Sequence, residues 1–504
     1  MLTSRRSALA QGAVTIAAAA ALTLGNPHSA RAQTDFGFTP GDLVVSVEGD
    51  GSDTGSYADG QASPLTLYEF SLGGSTSASE VSSLELPQTM SGDNYAISGE
   101  YGSSSEGTLQ LSGNGQYLTL MGYGINADAY NSAFDVDGGG TALAQSPNTA
   151  VGGDNVPRVI ALIGADGSVD TSTAITGVFN ENNPRSVYTE NGTSFYISGQ
   201  GNKDDTGGVF YVPGLGPTSS AVPITGVDTY SKSNGNYNQD TRDVQIVNGT
   251  LTVSVDSTEG SASKGYNIDR IGTLGTSGTP PTTTLNQQPT ALPGIDGAIT
   301  LNGSNGNSIN NSTGSVYLSP ENFFYANATT LYVADSGEPK NGSSSGTAGE
   351  QNPGDGGLQK WSLVDGSWQL DYTLSTGLNL VLNDNDQAES KDGVSGLYGL
   401  TGEVEGSDVE LFATSYVLGD TDQTYLYGIT DDLSDTSASQ VTGEVFSTLA
   451  LAPADADFKG VAFAPTAAPV PLPPALPMLL GGLGLLGLLV RRGRPLVPRS
   501  AAAL

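Results

Sequence analysis

The chain is 504 residues long and sets 52 acidic against 18 basic residues, a formal net charge of −34 that repels nucleic acid and anionic lipid. Cysteine is absent and the one histidine is His28, so beyond the first 32 residues a Ser-His-Asp or Cys-His machine and an ordinary zinc, copper or haem site are excluded. What is left is oxygen chemistry from Asp, Glu, Asn and backbone carbonyls, of the kind that suits calcium.

Taken in chain order, Arg5 and Arg6 precede an Ala-rich apolar segment, Ala13 to Leu24. Ala30-Arg31-Ala32 then places small residues, Ala30 and Ala32, at the spacing of a leader cleavage site, so residues 1–32 are expected to be a signal peptide with the mature chain starting near Gln33. Ser4-Arg5-Arg6-Ser7-Ala8-Leu9 also resembles the twin-arginine export motif, which leaves Sec and twin-arginine export both open. Three bases lie in this leader and four in the tail (Arg491, Arg492, Arg494, Arg499), so the middle sets eleven bases against all 52 acids.

Between residues 33 and 465 the chain, which has 69 glycines over its full length, is rich in Gly, Ser, Thr, Asn and Asp, with short alternating apolar runs parted by turn signals. That is an all-β pattern. One unit recurs: a short apolar strand, an Asn-Gly type turn, a second strand, a variable loop, then two more strands. Examples are Thr108–Leu111 turning into Tyr117–Met121, Val187-Tyr188 turning at Asn191-Gly192, and Val244–Val247 turning at Asn248-Gly249. Looser copies start at Val316-Tyr-Leu318 and Leu397-Tyr398. A further copy is split: Gly460–Phe463 supplies its first strand while Leu43–Val47 and Leu65–Phe70 supply the second and third. Joining them closes a ring and removes the exposed edges of an open sheet. The expected fold is a β-propeller of six blades, closed by pairing of N- and C-terminal strands; seven blades is the alternative and a β-solenoid a more distant one.

Arg185, Arg242 and Lys459 each lie two residues before the first apolar residue of a unit (Val187, Val244, Val461). Because first strands line the channel of a propeller, these bases are candidates for an anion-binding ring; the competing expectation is that each pairs with a neighbouring acid. Acidic turns containing Asp135 and Asp137, and Asp384 and Asp386, offer oxygens suited to calcium, without the twelve-residue EF-hand spacing. No other cofactor is suggested. Trp361 and Trp368 flank a hairpin at Asp365-Gly366, where they fill the gap between blades or present a sugar-stacking face.

Residues 466–469 read as a linker to the tail, 470–504. There Val470-Pro471-Leu472-Pro473 precedes an apolar helix, Ala475 to Val490, and a basic stop at Arg491, Arg492 and Arg494. At about 1.5 Å per residue the helix is roughly 24 Å long, enough for a shallow anchor with a cytoplasmic C-terminus. The tail resembles the PEP-CTERM sorting signal in its VPLPA variant. That resemblance covers about the last 35 residues and implies an exosortase-type sorting protease as partner, a transient inner-membrane anchor and delivery to the outer surface or extracellular matrix of a Gram-negative bacterium. The function expected is non-catalytic binding or adhesion to envelope or exopolysaccharide components. The alternative is a calcium-dependent hydrolase resembling propeller phytases, with the three bases gripping phosphate. Oligomeric state is not legible.

Overall fold

The computed structural model describes residues 36–468, apart from 53–56, 134–140, 151–153, 203–205, 218–220, 226–239, 257–269, 296–298, 303–305, 312–313, 338–351, 354–355, 381, 384–392 and 418–421. The expected leader with Ala30 and Ala32, the acidic turns with Asp135, Asp137, Asp384 and Asp386, and the tail with Val470, Pro471, Leu472, Pro473, Arg491, Arg492 and Arg494 lie outside these residues. Among the described residues no helix is long and apolar enough to cross a membrane. Everything below belongs to the unit Gly37–Leu504.

Short strands with alternating apolar residues fold into antiparallel meanders, because tight turns return each strand beside its predecessor. Asn248-Gly249 and Asp365-Gly366 hold φ of 50° and 75°, and of 52° and 83°, the left-handed pair that a two-residue hairpin requires. They join Thr241–Val247 to Thr250–Val255 and Gly357–Val364 to Ser367–Leu374. Four sheets of four strands result. They begin at Pro184–Tyr188, Thr241–Val247, Pro320–Asn327 and Val394–Glu405, and end at Val222–Pro223, Thr290–Ala291, Ser367–Leu374 and Ser447–Leu451.

A nine-stranded sheet carries both ends of the body. Ala456–Phe463 pairs with Leu43–Gly49 (Val461 opposite Val45, Phe463 opposite Leu43), followed by Ala62–Leu72 and Ala78–Glu85. Through a short crossing, Ala62–Pro64 against Ser98–Glu100, it continues into Gln110–Leu111, Tyr117–Tyr123, Arg158–Gly164 and Val169–Ile175.

One expectation is corrected. Val316 and Tyr317 belong to a separate small sheet of Ile299–Asn302, Gly306–Asn311 and Gly314–Tyr317, and the inner strand of the next large sheet is Pro320–Asn327. The reason is local: Asn327 Oδ1 accepts from the amide and hydroxyl of Thr329 at 2.8 and 2.9 Å, so the chain reverses there and the strand before it must run 320–327.

Consecutive sheets pack face to face. Met121 and Ile160 meet Val187 and Phe195; Tyr188 and Tyr196 meet Val244 and Leu251; Ile271 and Ile295 meet Trp361 and Trp368. Tyr332 and Tyr372 meet Leu397 and Tyr427, and the last sheet returns to the first where Phe412 and Leu426 meet Val45 and Val461. The body is all-β and propeller-like. Both tryptophans are buried between sheets, so neither offers a stacking face.

A repeated hydroxyl fastens the sheets at their inner edges. Ser46, Ser198, Ser254 and Thr414 sit fully buried in the second strands, where an unbonded hydroxyl would be costly. Each donates to a carbonyl of the next sheet's inner strand or the turn before it: Ser46 to Gly107 (2.5 Å), Ser198 to Arg242 (2.5 Å), Ser254 to Glu321 (2.9 Å), Thr414 to Lys459. Three of them also accept an amide of their own inner strand, from Gly460, Asp243 and Gly399 at 2.8–2.9 Å. The Gly460 to Ser46 bond joins residues 414 apart in sequence and ties the two ends of the body together.

Candidate functional site

The inner strands share an irregularity at one position. Arg185 is an extra residue between Pro184 and Ser186, which oppose Gly199 and Ser198. Arg242 and Asp243 together face Ser254, Glu321 is extra between Pro320 and Asn322, Ser395 between Val394 and Gly396, and Lys459 with Gly460 faces Ser46. A bulge re-aims the side chain it carries. Here it turns charged groups away from the apolar faces and toward one another at the inner edges of the sheets.

The three bases predicted from spacing are therefore brought to equivalent places, and each is buried against acids. Arg185 Nη1 is paired with Asp240 and also donates to the Thr241 carbonyl at 3.3 Å. Arg242 reaches Glu321 (3.3 Å), Asp240 (3.5 Å) and Asp256 (3.7 Å). Lys459 donates to the Ser103 carbonyl at 2.6 Å and lies 3.6 Å from Glu48 and 3.8 Å from Asp457. Arg185 and Arg242 share Asp240, whereas Lys459 stands in its own acidic group. Burial pushes the Glu321 and Glu48 carboxyls up, and the facing bases pull each of them back. For Lys459, burial works against the charge, but Asp457 and Glu48 hold the ammonium above its usual range. Among the described residues no group of three acids is placed to hold a metal ion.

A further charged group adjoins that of Lys459. Arg158 opens the otherwise apolar strand Arg158–Gly164 and is itself fully buried, its guanidinium 4.5 Å over the Tyr123 ring. It donates to the carbonyls of Val156, Phe179 and Asn182 at 2.9–3.1 Å and to those of Ala144 and Ser146 at 3.2 Å. Beside it Glu106 accepts from Tyr123 and, at 2.6 Å, from Asn183. Glu100 accepts from the Ala144 amide, and burial, reinforced by Glu106, pushes its carboxyl up to about 9.

Above this group opens a cleft of about 690 Å³ lined by Glu100, Thr141, Ala144, Gln145, Pro147, Glu181, Asn182, Asn183 and Asn202. Its Phe179–Asn183 wall holds two non-glycine residues in the left-handed region, Phe179 (φ 49°) and Glu181 (φ 51°), and Arg158 pins it at two carbonyls. On the rim Asn202 donates to Glu181 at 2.7 Å.

Sequence reasoning missed Glu321, Arg158 and the cleft. Glu321 was findable: it stands two residues before Phe323, as Arg185 stands before Val187, once the strand is taken to start at 320 and not at Val316. A lone arginine opening an apolar strand was the signal for Arg158, since such a charge must find buried partners.

Fold and site together define a propeller-like all-β protein with buried charged groups at the inner edges of its sheets and a polar cleft beside one of them. No family model matches the chain, and no curated protein matches it. Among solved structures it is similar to a Bacteroides fragilis protein named as a 6-phosphogluconolactonase, with 10% identity, TM-score 0.35 and 82% of each chain covered. It is also similar to a variant of the Synechocystis apocarotenoid oxygenase, with 10% identity and TM-score 0.31, covering 85% of this chain and 94% of that one.

Proposed function

We propose that this chain is an exported surface or matrix protein with a non-catalytic binding role, carried on a six-bladed body and delivered through its C-terminal sorting signal. One observation carries the reading. Of the six described bases, five (Arg158, Arg185, Arg242, Lys360 and Lys459) are buried and engaged by acids or carbonyls. Most of the described positive charge is thereby used inside the body, and the ring positions already hold carboxylates where a phosphate would have to sit. This favours a structural ring over a phosphate grip, and it leaves an acidic exterior that salt screens and that resists anionic surfaces.

Six blades follow if the nine-stranded sheet counts as two, joined at the short Ala62–Pro64 crossing. Gln110–Leu111 then serves as an inner strand between Ala456–Phe463 and Pro184–Tyr188, both of which it touches. For export, the closing strand is followed by Ala464 and Thr466, held by the Asp42 and Gly115 carbonyls at 2.8 Å, so the tail leaves from a fixed point on the body.

Replacing Val470–Pro473 by alanines in the producing cell is expected to leave an unprocessed, membrane-retained form; unchanged processing overturns the sorting assignment. Phosphate release from phytate by the full chain, with and without calcium, is expected at the blank rate. Calcium-dependent turnover that is lost in Arg242→Ala would restore the hydrolase.

A further inference from the structure

We propose that the cleft beside Arg158 is a binding site for a neutral carbohydrate. Its lining supplies four side-chain amides (Gln145, Asn182, Asn183, Asn202), two carboxyl groups (Glu100, Glu181) and little apolar surface. Amides and carboxyls offer donors and acceptors in adjacent pairs, which is what vicinal hydroxyls require. Among the described residues no cation lines the cleft, which favours a neutral ligand over a phosphate or a uronic acid. Arg158 lies behind the wall and is spent on backbone carbonyls and the Ser146 hydroxyl.

Amine ligands are disfavoured for a different reason. Burial keeps the Glu100 carboxyl neutral at pH 7, and the remaining carboxylate, Glu181, is already bonded by Asn202. Glu100 Oε2 is taken by the Ala144 amide, and among the described residues Oε1 has no hydrogen-bond partner; Glu100 itself lines the cleft.

The site is also pre-organised. The strained Phe179–Asn183 wall is fixed by Arg158, and Asn183 is fixed by Glu106 and Ser103 at 2.6 and 3.2 Å, so little ordering remains when a ligand enters. A volume of about 690 Å³ lies within the usual range of small-molecule sites. None of this rests on the export reading, and sugar binding and tail processing are measured separately.

The test is saturation-transfer NMR on the purified full chain with glucose, cellobiose and chitobiose as neutral probes, glucose 6-phosphate as the anionic probe and spermidine as the cationic one. Each is supplied at roughly 10 mM, ten times a weak Kd of about 1 mM. Transfer to at least one neutral sugar, and none to glucose 6-phosphate or spermidine, is expected. The double variant Glu181→Gln, Asn202→Ala, whose side chains sit on the rim, should keep the parent melting temperature while binding that sugar about tenfold more weakly. Gln145→Ala, also exposed, should weaken it in the same direction. Absence of transfer to every neutral sugar, binding undiminished in these variants, or a preference for spermidine or glucose 6-phosphate overturns the proposal.

Discussion

Replacing Arg242 by methionine keeps most of the stem's bulk and removes the guanidinium from among three acids. The contacts to Glu321, Asp240 and Asp256 are 3.3, 3.5 and 3.7 Å. At an effective dielectric constant of about 20 each is worth roughly 4–5 kcal/mol of gross attraction. Desolvating four charged groups cancels most of that sum, and the net loss on breaking a buried pair is about 3–5 kcal/mol, chiefly because carboxylates are left buried without a counter-charge. A body of roughly 430 residues unfolds with an entropy of about 0.9 kcal/mol/K near 60 °C, so the melting temperature should fall by about 3–6 °C. Circular-dichroism melts of the full chain at pH 7 measure this for Arg242→Met, Glu321→Gln and the double variant. The double should be less destabilised than the sum of the singles, by about 1–3 kcal/mol, because removing Arg242 and neutralising Glu321 relieve the same imbalance. A shift under about 1 °C for Arg242→Met, or strict additivity in the double, would mean that these charges are hydrated and do not support one another.

Two further outcomes are expected. A Cβ at Gly460 would meet Leu109 N at 2.0 Å and the Gly107 carbonyl oxygen at 2.7 Å, so Gly460→Ala should wedge the closing strand off its neighbour and lower the melting temperature by several degrees; an unchanged melt would disprove the close approach. The pH dependence should run opposite to ordinary acid denaturation. The Glu100 carboxyl is raised to about 9, first by burial and then by Glu106, and Glu444 to about 8, by burial and Asp431, so between about pH 4.5 and those values the folded state holds protons that the unfolded chain has released. Their contribution is fully present below about pH 4.5 and is lost as pH rises through 8–9, at up to about 1.4 kcal/mol per pH unit for the buried Glu100 and much less for Glu444, which solvent screens. Melts at pH 5 and pH 9 should show the full chain less stable at pH 9, and Glu100→Gln should narrow the difference; an equal difference in the variant would show that Glu100 titrates normally.

The sequence by itself determined the all-β class, the hairpins at Asn248-Gly249 and Asp365-Gly366, and the meeting of Val45 with Val461. These depend on alternation and on turn residues with positive φ, which act over a few positions and can be read wherever they stand. It also placed Arg185, Arg242 and Lys459 at one repeat position, since the inner strands share a pattern. It failed at Val316, because three apolar residues look alike in any short strand, and the register is set by the turn at Asn327. The expected pairing with neighbouring acids is present in Arg242 with Asp240 and Lys459 with Asp457, but the remaining partners were decided only by the tertiary structure. Bulges turn the bases inward, and these partners, Glu48 for Lys459 or Glu321 for Arg242, come from distant parts of the chain. The same holds for the cleft, whose walls come from segments around Glu100, Gln145, Glu181 and Asn202. A buried charge takes whatever partner the packed sheets deliver, and that choice is made by three-dimensional proximity, on which local periodicity is silent.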